Sequence, residues 1–100
     1  MRYHVNLTNR AGHDLRRLYD SIDAATSQKA FEWFKELVDT IYSVDQLPER
    51  GAVNPSNRGQ RQLFFGEKPH MYKIVYNVDK RRRVVTVLHI RHGARAPQEK

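Results

Sequence analysis

The stretch Met71-Tyr72-Lys73-Ile74-Val75-Tyr76-Asn77-Val78, with Arg83-Val84-Val85-Thr86-Val87-Leu88-His89-Ile90-Arg91 just beyond it, decides the fold. Both runs are dense in β-branched and aromatic residues, which fit a pleated, half-buried surface, and each is too short for a helix of ordinary length. They predict strands over 71–78 and 83–91, with Asp79-Lys80-Arg81-Arg82 as the tight turn of a hairpin. Alternation along the first strand puts Tyr72, Ile74, Tyr76 and Val78 on one side and Lys73, Val75 and Asn77 on the other. The first set is the better core face, so Lys73 is expected to point away from whatever packs on the sheet. A third strand is expected over 61–65, joined to the second through Gly66-Glu67-Lys68-Pro69-His70.

Working outward toward the N-terminus, Tyr3, Val5 and Leu7 alternate with His4, Asn6 and Thr8, the period-2 pattern of a strand with one buried face. Asn9 is then placed to cap a helix in which Leu15, Leu18, Tyr19 and Ile22 share one face while Arg16, Arg17 and Asp20 take the other. A polar break over 21–27 separates it from a longer helix, where Phe34, Leu37, Val38 and Ile41 repeat the spacing and Ala30, Phe31 and Trp33 widen the stripe. Between 45 and 59, Pro48, Gly51, Pro55 and Gly59 interrupt every periodicity, so a loop of about fifteen residues is expected. The order β, α, α, then a three-strand antiparallel meander predicts an α+β fold with a helical hairpin on one face of a mostly antiparallel sheet and the other face open.

Length and composition restrict the chemistry. One hundred residues give the expectation of a single domain over 1–100. With no cysteine there is no disulfide framework, thiolate metal site or thiol nucleophile, which suits a reducing compartment. No apolar run resembles a signal peptide or a membrane span, so a soluble cytoplasmic protein without membrane association is expected. The net charge of +7 is unevenly placed: residues 1–50 carry a net of −1 and residues 51–100 a net of +8. A half-chain of that sign is an electrostatic footprint for nucleic acid or for an acidic protein. The run Lys80-Arg81-Arg82-Arg83 looks like such a patch, but at a hairpin turn a run of this kind is more often a solvated tip. His4, His13 and His70 show no metal-ligand spacing, and neither metal nor cofactor is expected. Which face His89 takes is left open by the alternation of its neighbours.

The order of these pieces, together with the basic residue between two aromatics in Tyr72-Lys73-Ile74-Val75-Tyr76 and the ending His92-Gly93-Ala94-Arg95, resembles the RelE/ParE superfamily of type II toxin–antitoxin toxins over residues 3–95. The resemblance implies a small growth-inhibiting toxin, of the kind associated with plasmid stabilisation, neutralised by a cognate antitoxin whose acidic, partly disordered segment wraps it. It also implies one of two targets. RelE-like members cleave messenger RNA on the ribosome as mRNA interferases, whereas ParE-like members poison DNA gyrase and cut no RNA. Metal-free RNA cleavage needs a base near the 2′-hydroxyl, positive charge at the phosphate and an acid for the leaving oxygen. The candidates for that set are Lys73, His92 and Arg95, with Arg58, Arg61 and Arg91 as further phosphate contacts. Nuclease members generally carry a catalytic Tyr or His after the last strand, and here the chain continues Ala96-Pro97-Gln98-Glu99-Lys100. The nuclease reading is slightly favoured on Lys73, His92 and Arg95; the gyrase-poison reading and a non-toxic basic binding module are the alternatives.

Overall fold

Four residues at the start of the chain lay down a strand, β1 (His4–Leu7), and the chain then turns into helix α1 (Asn9–Ser21). The turn is made by Thr8, whose extended backbone and side-chain oxygen, accepting from the Ala11 amide at 3.0 Å, make it the N-cap in place of Asn9, which is already helical. Helix α2 (Gln28–Tyr42) follows, capped by Ser27, and a short 3₁₀ turn (Ser43–Asp45) ends the helical half. Strands β2 (Ala52–Asn54), β3 (Asn57–Glu67), β4 (His70–Asp79) and β5 (Val84–His92) complete the chain. The computed structural model describes residues 2–93.

All five strands form one sheet in the order β1-β5-β4-β3-β2, antiparallel except where β1 lies parallel to β5. The expected α+β arrangement, with its helices on one face, is present. Two expectations are corrected. The loop over 45–59 contains β2 and the first part of β3, so the meander has four strands, and β3 runs well beyond 61–65. Asn54 and Asn57 explain the difference: their side-chain oxygens accept from the Ser56 and Gly59 amides at 3.0 and 3.1 Å, closing a tight turn that lets a polar segment double back and extend an edge already present.

The core lies between helices and sheet. Leu37 and Ile41 of α2 and Ala11 and Leu18 of α1 meet Ile74, Tyr76, Val85, Val87 and Ile90 from the central strands. Strand β5 reaches this core only through a bulge, because Val75 pairs with His89 while Tyr76 pairs with Val87, leaving Leu88 as an extra residue. The bulge resets the alternation, so that Val85 and Val87 before it and Ile90 after it all face the helices.

Tyr76 ties the sheet to the segment that enters β2. It is fully buried, its hydroxyl donates to the Pro48 carbonyl at 2.8 Å, and it accepts from the Gly51 amide at 2.9 Å. Burial holds its phenol above the usual tyrosine range. Tyr76→Phe is expected to lower stability by about 1–3 kcal/mol, the cost of leaving a buried backbone group unpaired, as read by chemical denaturation.

Candidate functional site at the end of the sheet

The last two strands divide the candidate residues between opposite faces. Lys73 pairs directly with Arg91 and Val75 with His89, so these four side chains share the face away from the helices. Tyr72 pairs with His92, one residue out of phase, which puts His92 on the helix side. There its ring lies 4.8 Å from Tyr72 and 5.9 Å from His70, while Trp33 of α2 stands edge-on to Tyr72 at 5.5 Å and to Phe65 at 5.3 Å. An open groove of about 530 Å³, lined by Asp14, Arg17, Leu18, Ile22, Tyr72 and His92 among others, runs between this aromatic wall and α1.

The other sequence-derived candidates fall elsewhere. Arg61 pairs with Tyr76 and directs its guanidinium to the Gly51 and Glu49 carbonyls at 2.7 and 3.3 Å, so its fork is spent on holding the chain before β2. Arg58 is exposed near the β2–β3 turn, three residues beyond Arg61 and hence roughly 10 Å further along the strand from Lys73. Arg95 lies outside the described residues. The structure therefore brings Lys73 and Arg91 together, separates His92 from both by the thickness of the sheet, and leaves Arg58 and Arg61 apart. In the basic hairpin turn, Lys80 pairs with Glu49 at 2.7 Å, and this contact holds the exposed Glu49 carboxyl below its usual range.

Two residues not singled out from the sequence, Arg10 and Asp14, stand at the edge of β5 near His89. Where β1 ends, α1 takes over the edge of β5: Thr8 Oγ1 donates to the Leu88 carbonyl at 2.8 Å, and Asp14 Oδ2 accepts from the Ile90 amide at 3.0 Å. This brings Arg10 and Asp14 close enough to His89 to bias its ring. The His89 imidazole is held below its ordinary pKa first by burial, then by Arg10 and Arg91, with Asp14 opposing and Lys73 adding to the depression. Its Nδ1 is buried without a hydrogen-bond partner. Beside it Val75, at 1 % exposure, and Gln62, at 6 %, are buried although they lie on the face turned from the helices. Among the described residues no group of three or more His, Cys, Asp or Glu side chains is arranged to hold a metal ion.

Comparison with solved structures shows that this α+β fold is shared by chains of toxin–antitoxin proteins. A chromosomal ParDE toxin–antitoxin protein from Pseudomonas aeruginosa superposes with a TM-score of 0.72 at 21% identity, over 92% of this chain and 97% of that one. A chain of the RelBE2 toxin–antitoxin complex from Mycobacterium tuberculosis gives 0.67 at 21% identity, over 92% and 99%. A chain of the intact RelBE complex of Escherichia coli gives 0.60 at 21% identity, over 94% and 99%. A search of curated proteins gave no match. Residues 5–97 match the family described as the ParE toxin of the type II toxin–antitoxin system parDE. The chain belongs to that family and is a toxin of a type II toxin–antitoxin system. Among the described residues no helix is long and apolar enough to cross a membrane.

Proposed function

We propose that this toxin arrests growth by binding its target, DNA gyrase in the ParE manner, and not by cutting RNA. The observation that carries this reading is the pairing at the end of the sheet. Lys73 faces one side with Arg91, and His92 faces the other with Tyr72, so the described members of the candidate set do not share one face. Membership of the ParE family supports the same reading. A binding toxin needs no group poised to exchange a proton; it needs a surface, and the basic second half of the chain supplies one.

One observation favours the nuclease reading: the neutral imidazole of His89 beside Lys73 and Arg91 is the raw material of a base next to a phosphate clamp. A single imidazole serves as base or as acid, however, and on that face His89 stands beside Val75, Lys73 and Arg91 with no second histidine next to it among the described residues.

The test is controlled expression in cells, comparing messenger RNA integrity with the DNA-damage response. Intact transcripts with an induced damage response are expected. Cleaved transcripts without it would overturn the reading. At residue level, removing one electrostatic stabiliser of a transition state slows an enzyme by about 10²–10³-fold. His92→Gln is expected to leave toxicity within a few-fold of the parent, measured by colony survival at matched protein level; a loss of about a hundredfold would restore His92 to a catalytic set.

A further inference from the structure

The end of the sheet brings together two histidines that the sequence keeps apart. His70 opens β4, and His92, 22 positions later, closes β5. Because Tyr72 pairs with His92, His70 is the diagonal neighbour of His92 on the helix side, and the two rings stand 5.9 Å apart with their planes inclined by 25°. The backbone beneath them is held: the Gly93 amide donates to the Met71 carbonyl at 3.0 Å, and Tyr72 lies 4.8 Å from the His92 ring. Both residues are exposed, so each ring is free to turn about its side-chain bonds. The charge around them runs against that of the whole chain. Two cavities bordering His70 are lined by the carboxylates of Asp14, Glu36 and Glu67 against the cations Arg17 and Lys68, in a chain with 18 basic and 11 acidic residues. Glu67 stands directly opposite His70 in the ladder between β3 and β4.

We propose that His70 and His92 together ligate one divalent ion of the zinc class at the mouth of the helix-side groove, tying the first residue of β4 to the last of β5. Imidazole nitrogen suits zinc, copper and nickel ions, whereas magnesium and calcium take oxygen ligands. Two imidazoles on one tetrahedral ion, with zinc–nitrogen bonds of about 2.0–2.1 Å, hold their ring centres roughly 5 Å apart. The observed pair therefore converges with a small turn of either ring. The local excess of carboxylate favours a doubly charged cation at this end of a protein whose second half is strongly basic. With two protein ligands the remaining positions of the ion belong to water, so it exchanges readily and binds more weakly than in a closed four-ligand site. Its effect is on the fold. The unfolded chain does not hold the two rings together, so the ion stabilises the native state in proportion to its occupancy.

Zinc chloride titrated into the full chain, followed by calorimetry and by NMR of the histidine rings, tests this directly. One ion per chain is expected, with the ring signals of His70 and His92 moving together and those of His4, His13 and His89 staying in place. Saturating zinc is expected to raise the melting temperature by roughly 4–8 °C, and magnesium at the same concentration to leave it unchanged. His70→Gln and His92→Gln should each weaken zinc binding at least about tenfold, the loss of one of two ligands, and abolish the thermal shift. Folding of each variant is checked by its amide spectrum without metal. Zinc binding that survives the double variant overturns the inference, as does movement of the His4, His13 or His89 rings in place of the pair. An unchanged melting temperature and unmoved rings at saturating zinc overturn it equally. The measurement contains no gyrase and no cells, so its failure is distinct from failure of the proposed mode of toxicity.

Discussion

Gly66→Ala is expected to lower stability by about 3–4 kcal/mol, enough to leave much of a small toxin unfolded at growth temperature. Two independent costs act together. Gly66 holds a φ of +97°, a region that L side chains rarely adopt, at a cost of about 1–3 kcal/mol. A β-carbon placed there would also lie 2.3 Å from the His70 carbonyl oxygen, a backbone atom with no rotamer by which to move aside. The residue pairs with Met71 where β3 gives way to β4, so relieving the clash means separating the strands. Because Phe65 of the aromatic wall and His70 adjoin this turn, the loss reaches the helix-side groove as well. Thermal unfolding with a tryptophan readout suits the measurement, since Trp33 contacts Phe65 and Tyr72. A melting temperature within 2–3 °C of the parent would show that the turn relaxes, and that the close approach is not obligatory.

Gly51→Ala is expected to cost about 2–4 kcal/mol by a different route. Its backbone angles lie outside the positive-φ region, so the penalty is one of space. An added β-carbon would stand 2.8 Å from the Gln62 carbonyl oxygen and 2.8 Å from the Tyr76 hydroxyl. The first neighbour is backbone in the centre of β3; the second is the hydroxyl that joins the Gly51 amide to the Pro48 carbonyl. Moving either undoes the hydrogen bonds that bring residues 48–51 onto the sheet, including that from Arg61 to the Gly51 carbonyl. Denaturation of Gly51→Ala, Tyr76→Phe and the double variant separates the contributions. The double variant should lose less than the two single losses added together, because both disturb one network. Full additivity would mean that the glycine and the tyrosine act independently, against the close approach just described.

The sequence was a good guide wherever an element carries its own periodicity. Both helices announce themselves by apolar residues three and four apart, and β4 by a clean alternation of Tyr72, Ile74 and Tyr76 with Lys73, Val75 and Asn77. Strand β2 and the start of β3 have no such pattern. They are strands because a sheet edge is there to receive them and because Asn54 and Asn57 close the turn, and both causes are non-local in part. Arg61 reads from the sequence as one more exposed cation, and only its bonds to two carbonyls reveal a structural post.

What the residues alone determined is the α+β order, the core face of β4, the outward direction of Lys73 and the basic charge of the second half, since each depends on spacing within one segment. The tertiary structure decided which charges stand together. A single extra residue at Leu88 shifts the phase of β5, because side chains alternate with a period of two and one insertion exchanges the faces of everything beyond it. That shift sends His92 to the helix side and His89 with Arg91 to the other. No local pattern in Val84 to His92 records the insertion, because either phase would place apolar residues on a buried face; the choice is made by the partner strand and by the helix that packs against its edge.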